Sequence, residues 1–196
     1  ITPEARDVSR KARQAQAAAR AADLGPIIAD LRSAGLLSLN GLAKALTERL
    51  AAIDAPHAAY YRSRGADFQS RWQQAMARWS EQAKSLRGVP VVVMHRDQVY
   101  LVNWLGLQEL AAIEPKPGVP PSAGHLAGLV TKLAASPPRM ILRNAYNNPR
   151  AAEWLSERIH APVVTLPFSV GGTAEAADLF GLFDDTLQRL LAAAKR

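Results

Sequence analysis

The sequence predicts an α/β protein, in which a four-stranded parallel sheet with flanking helices follows a helical N-terminal region. Two observations lead to this fold class. After residue 89, short apolar segments alternate with amphipathic ones, and strands joined by helical crossovers form a parallel sheet covered on both faces. Before residue 89, apolar side chains recur at steps of three and four, which is the period of a helix. We therefore expect a helical region at 1–88 and an α/β lobe at 89–196.

The N-terminal region contains three predicted helical segments. Residues 1–36 are rich in alanine and are interrupted at Leu24-Gly25-Pro26, and a helix at 42–53 has Asn40 as its expected cap. A long helix then runs from Pro56 to about Leu86, roughly 45 Å at the rise of an α-helix. Its apolar stripe consists of Tyr61, Phe68, Trp72, Ala75, Met76, Trp79 and Ala83. Such a stripe is typical of core packing. Any part of it left exposed would favour a homodimer.

The lobe is predicted to contain four strands joined and covered by helices. The strands are expected at 91–94, 111–113, 140–143 and 163–166, and the helices at 97–106, 122–135, 149–160 and 174–195. Thr173 is the expected cap of the last helix. Within that helix, Asp184 and Asp185 are expected on a solvated face.

Composition excludes several classes of protein. The chain has 196 residues, a net charge of +7 and no cysteine, which excludes disulfides and thiolate metal sites. No run of about 18 apolar residues is present, so no membrane span is expected. The basic residues are dispersed along amphipathic helices without interleaved aromatic residues, and this pattern favours a solvated basic surface over a nucleic-acid partner.

Motifs for common enzyme classes are also missing from the sequence. It contains no G-x-G-x-x-G, no P-loop and no G-x-S-x-G. The segment 169–172 follows a strand and precedes a helix, where a plain turn is favoured over an anion-binding loop. Because no nucleophile lies beside a base at a strand end, we do not expect an enzyme.

His95 is the candidate functional histidine. It follows the apolar run 91–94, and open α/β sheets bind ligands at the carboxyl ends of their strands. The residues alone leave two alternatives equally open, a metal ligand and a hydrogen-bonded core histidine. His57, His125 and His160 lie at predicted helix ends and are expected to be surface, packing or capping residues.

Residues 89–196 resemble the C-terminal lobe of the metal-ion-binding proteins that serve ABC importers for zinc and manganese. The matching features are the strand that ends at His95, the spacing from it to Tyr100 and Gly106-Leu107, and the run Glu-Pro-Lys-Pro-Gly-Val-Pro-Pro-Ser at 114–122 with His125-Leu126 after it. The helix at 42–50 and the long helix after Pro56 resemble the elements that precede this lobe.

The resemblance implies a fold of two α/β lobes joined by a long helix, with Zn²⁺ or Mn²⁺ held between them by histidines and carboxylates. By position, His95 matches the first ligand of the C-terminal lobe. Asn144 and Pro167 occupy positions where the family has carboxylates, and both are expected to line the cleft. Residues 1–36 contain no counterpart of the N-terminal lobe. Weak metal binding is therefore expected of this chain.

The function implied by the resemblance is that of the metal-ion-binding component of an ABC importer, either truncated or with a degenerate metal site. The alternative is a non-enzymatic interaction module that has lost metal binding. The first function implies an ABC permease as partner and a periplasmic or extracytoplasmic location.

Overall fold

The computed structural model describes residues 39–116 and 119–195. The chain divides into two compact units, Ile1–Gln74 and Ala75–Arg196. The predicted domain boundary at residue 88 stays a prediction, and the helices predicted within 1–36 lie outside the described residues. In the part of the chain that is described, no helix is both long and apolar enough to cross a membrane.

Two helices of the first unit approach each other closely at one glycine. Helix α1 is Leu39–Ile53, and helix α2 is Ala58–Gln82, which continues into the second unit. A Cβ atom built on Gly65 of α2 would lie 2.3 Å from Thr47 Oγ1 of α1, so the missing side chain allows the close approach. Beside this contact, Arg62 Nη2 lies 3.0 Å from Glu48 Oε2. The prediction that Asn40 caps α1 is wrong, because the helix already includes Leu39.

The second unit contains the predicted parallel sheet, with strand order β2-β1-β3-β4. The strands are β1, Pro90–Val93; β2, Gln108–Ala112; β3, Met140–Asn144; and β4, Val163–Leu166. The helices are α3, Val99–Leu105; α4, Ala123–Ala134; α5, Arg150–Ile159; and α6, Leu179–Ala194. Strand β2 starts three residues earlier than predicted, because α3 ends at the left-handed Gly106 and the chain pairs with β1 from Gln108 onward.

Helices cover both faces of the sheet, as the sequence predicts. Val92 and Ile141 belong to a buried cluster with residues of α4 and α5, including Leu129, Leu133 and Leu155. Successive strand residues point to opposite faces of the sheet. Val91 and Leu142 therefore point to the face opposite Val92 and Ile141, and they are also fully buried. Helix α6 packs there against β4. Because both faces of the sheet are covered, the strands are apolar on both sides.

The tryptophans of the long helix are buried, which confirms core packing for this part of the stripe. Trp72 is 6% exposed and Trp79 is fully buried. The Trp79 ring stacks on Phe183, with 4.8 Å between ring centroids, and Trp79 Nε1 donates a hydrogen bond to Asp184 Oδ1 at 2.6 Å. Because these rings are already covered within one chain, the packing does not support the expected homodimer.

Two expectations about the last helix are wrong. Asp185 is 4% exposed rather than solvated. Its carboxylate accepts hydrogen bonds from Arg189 Nε at 2.7 and 2.8 Å and from Thr173 Oγ1 at 2.6 Å. Thr173 therefore does not cap α6. The cap is Asp178, which accepts a hydrogen bond from the Gly181 amide at 2.7 Å. Asp184, in contrast, is exposed as expected.

Candidate metal centre

The candidate site lies at the carboxyl ends of the four strands. His95 and Glu114 follow β1 and β2, Asn144 is the last residue of β3, and Pro167 follows β4. Because the strands are parallel, all four residues belong to the same edge of the sheet. This is the edge at which α/β sheets bind ligands.

His95 pairs with a carboxylate that follows the neighbouring strand. Its Nδ1 lies 2.7 Å from Glu114 Oε2, and the two side chains are 22% and 11% exposed. Backbone pairing continues past the ends of the strands and causes this approach: the Ile113 amide donates to the Val93 carbonyl and the Glu114 amide to the Met94 carbonyl. Glu114 was not among the residues predicted for the site, although parallel pairing of β1 with β2 places it beside His95.

A cavity of about 360 Å³ adjoins this pair, and His125 and Lys132 line it together with His95 and Glu114. His125 Nε2 is buried without a hydrogen-bond partner in the described part of the molecule. Its backbone amide donates to the Ser122 side chain, which caps α4. Among the described residues, no three His, Asp or Glu side chains are grouped closely enough to hold a metal ion. His95 and Glu114 therefore form a pair, and His125 does not complete a three-ligand group.

Asn144 is a buried hydrogen-bonding centre with 1% of its surface exposed. Its Nδ2 donates to Asp97 Oδ2 at 2.8 Å and to the Tyr146 hydroxyl at 3.2 Å. Its Oδ1 accepts from Gln98 Nε2, and its backbone amide donates to Asn147 Oδ1 at 2.7 Å. Since the amide oxygen already accepts a hydrogen bond, a metal ion would have to displace Gln98 in order to use it.

Tyr146 extends this group of hydrogen bonds to the surface. Its hydroxyl donates to Asp97 Oδ2 at 2.6 Å, and this hydrogen bond raises the pKa of Tyr146 above its ordinary value of 10.0. The ring of Tyr146 meets that of Phe168 edge to face, with 5.2 Å between centroids. Asp97 and Asn144 also line a second cavity of about 390 Å³, whose other walls are mostly apolar.

Pro167 supplies no side-chain donor and leads into a tight turn. Its carbonyl accepts from the Ser169 amide at 2.8 Å, while the Gly171 and Gly172 amides donate to the Ala176 and Ser169 carbonyls. A Cβ on Gly172 would lie 1.9 Å from the Pro167 carbonyl oxygen, so the turn requires glycine there. These amides are used within the turn, which agrees with a plain turn and leaves no anion-binding loop.

The structure thus places the three site residues predicted from the sequence in different surroundings. His95 contacts Glu114, Asn144 contacts Asp97, Gln98 and Tyr146, and Pro167 begins the turn after β4. That His95 binds a metal ion, with Asn144 and Pro167 lining the same cleft, stays a prediction. His57 is an exposed histidine beside Asp54, and His160 ends α5 in a left-handed conformation.

Three solved structures illustrate which proteins share this fold. A crystal structure of ZnuA superposes with a TM-score of 0.64 at 19% identity, covering 80% of this chain and 56% of that one. The solute-binding protein FpvC from Pseudomonas aeruginosa, in complex with Mn²⁺, gives 0.58 at 17% identity and coverages of 80% and 59%. The laminin-binding protein Lbp of Streptococcus pyogenes gives 0.59 at 21% identity and coverages of 79% and 60%. These likenesses show the fold, and the chain spans less than two thirds of each of these structures.

Sequence comparison identifies the family. No relative among the curated proteins matches the chain. The family model described as "ZnuA: Zinc-uptake complex component A periplasmic" matches residues 38–193, which is most of the sequence. The four-stranded parallel sheet with flanking helices matches the lobe fold of solute-binding proteins. The chain therefore belongs to the family of the periplasmic component A of zinc-uptake complexes.

Proposed function

We propose that this chain is the metal-ion-binding component of an ABC importer of the zinc or manganese class, and that it contributes one lobe and the preceding helix to the binding protein. Its role is to bind and deliver the ion, so it carries out no catalysis. The proposal places it in the periplasm or another extracytoplasmic space, where an ABC permease is its partner. Family membership over residues 38–193 supports this function.

The contact between His95 and Glu114 is the observation that carries the proposal. A carboxylate 2.7 Å from Nδ1 favours the tautomer with its proton on that nitrogen. The lone pair of Nε2 is then available for a metal ion, and this is how protein carboxylates commonly orient ligating histidines.

The rest of the coordination sphere is weak in this lobe. Pro167 has no side-chain donor atom, and Asn144 Oδ1 accepts a hydrogen bond from Gln98. A neutral imidazole suits zinc, but tight zinc sites use four protein ligands, or three and a water molecule. We therefore propose that this chain holds Zn²⁺ or Mn²⁺ through His95 with solvent in the remaining positions, and that its affinity is orders of magnitude below that of a complete site.

Calorimetric titration with zinc and with manganese tests the proposal. The chain should bind one ion weakly, His95→Ala should abolish the binding, and His160→Asn should leave it unchanged. Asparagine is the matched replacement for His160, because it tolerates the left-handed conformation found there. Tight binding that survives His95→Ala would overturn the site. Absence of binding to the unaltered chain would favour the alternative, an interaction module that has lost metal binding.

A further inference from the structure

We propose that the 390 Å³ cavity beside Asn144 is a second binding site, for a small organic ammonium compound with an apolar body. This inference does not rest on the proposed metal transport, although Asn144 is also a predicted lining residue of the metal cleft. The cavity that adjoins His95 and Glu114 and the cavity that Asn144 lines have no lining residue in common. Loss of metal binding and loss of ammonium binding can therefore be measured separately.

The position of the cavity in the sheet favours a ligand. From β1, the chain first adds β2 on one side and then returns to add β3 on the other, so the connections reverse between β1 and β3. Crevices at such a reversal, at the carboxyl ends of the strands, are the usual ligand sites of open α/β sheets. Asp97 and Gln98, after β1, reach across the crevice to Asn144 at the end of β3.

A buried acceptor in the cavity lining lacks a donor. Gln98 is 7% exposed, and its Nε2 donates to Asn144 Oδ1. Its Oε1 is buried and has no hydrogen-bond partner among the described residues. Leaving a buried acceptor without a donor is unfavourable. Gln98 lines the cavity, and a donor bound there would supply the missing hydrogen bond once the Gln98 amide turns toward it.

The charge and the apolar walls define the class of ligand. Of the described residues that line the cavity, Asp97 is the one with a charged side chain. Both hydrogen bonds to Asp97 from Asn144 and Tyr146 go to Oδ2. Trp104, Phe168 and Phe183 contribute aromatic walls. A carboxylate and an unpaired amide oxygen accept hydrogen bonds, while aromatic faces attract cations, so the site fits a protonated amine attached to an apolar group. A carboxylate ligand would be repelled by Asp97.

Three probes that share a phenyl group and differ in their polar end test this class. Titrations of the full chain with 2-phenylethylamine, 2-phenylethanol and 3-phenylpropanoate can be followed by amide chemical shifts in NMR. The amine should bind saturably, the alcohol about tenfold more weakly for lack of a charge-assisted hydrogen bond, and the anion not at all. The shifts should concentrate at residues after β1 and at the end of β3. Equal binding of amine and anion, or shifts elsewhere, would overturn the proposal.

Matched variants test whether Asp97 and Trp104 are responsible for binding of the amine. Asp97→Asn keeps an acceptor for Asn144 and Tyr146 but removes the charge, and it should weaken amine binding about tenfold. Glu157→Gln removes an exposed carboxylate outside the cavity and should have no effect, and His95→Ala should also leave amine binding unchanged. An Asp97→Asn protein that folds normally and binds the amine as before would contradict the inference. If that variant does not fold, Trp104→Leu provides the second test, since loss of an aromatic wall should likewise weaken binding of the amine.

Discussion

Glu114 Oε2 lies 2.7 Å from His95 Nδ1, although 18 residues separate the two along the chain. The contact exists because β2 lies beside β1 and their backbone pairing continues to the Glu114 amide. It determines which imidazole nitrogen faces the carboxylate and which one can bind a ligand.

The first prediction concerns that carboxylate. Glu114→Gln keeps the size of the side chain and removes its charge, so it should lower the affinity of His95 for zinc by about 10–100-fold, as is typical for a group that orients a metal ligand. The measurement is a zinc titration followed through the histidine ring resonances. Glu157→Gln, at an exposed carboxylate, is the control. Unchanged affinity in Glu114→Gln would show that the contact between Glu114 and His95 has no role in metal binding.

The second prediction concerns pH. The hydrogen bond to Asp97 raises the pKa of Tyr146 above 10.0, so the fold favours the neutral phenol. This contribution to stability is present below the unfolded pKa and is lost as the pH rises through the folded pKa. The absorbance titration of the tyrosines should therefore contain a late component that Tyr146→Phe reduces. Tyr100→Phe, at an 87% exposed tyrosine, should leave the late component in place.

The third prediction compares two helical glycines. Replacing a helical glycine with alanine usually stabilises a protein by about 0.5–1 kcal/mol. Gly128→Ala should do so, because nothing lies within 4 Å of the new Cβ. Gly65→Ala should instead destabilise the protein by about 1–3 kcal/mol, since its Cβ would meet Thr47 at 2.3 Å. Urea unfolding measures both.

A double variant isolates the cause of that loss. If the contact with Thr47 is responsible, Gly65→Ala combined with Thr47→Ala should recover part of the stability lost in Gly65→Ala, and the two effects should not be additive. Additive losses would mean that the close approach of α1 and α2 does not depend on this pair.

The fourth prediction concerns the buried carboxylate in α6. Asp185→Ala should lower the free energy of unfolding by about 2 kcal/mol, because it removes the acceptor of Arg189 and Thr173. Arg189 is one third exposed and keeps its contact with Glu175, which limits the loss. Gln188→Ala, at an exposed neighbour in the same helix, should change stability little. Equal losses in the two variants would contradict the structural role of Asp185.

Much of the fold could be predicted because its signals are local. Apolar runs and helical periodicity lie within single segments, so the parallel sheet, the flanking helices and the burial of Trp72 and Trp79 were predicted correctly. Element ends were less accurate. The start of α6 depends on Asp178 and the start of β2 on pairing with β1, and neither follows from apolar periodicity.

The alternation of strands and helices, the family, and the position of His95 after a buried strand could all be read from the amino-acid sequence, because each is a property of residues adjacent in the chain. Three contacts became visible only in the folded molecule: Glu114 beside His95, Asn144 between Asp97 and Gln98, and the buried Asp185 beside Arg189. These contacts depend on the strand order β2-β1-β3-β4 and on how α6 packs. Both arise from the simultaneous burial of many distant apolar side chains, which no single segment encodes.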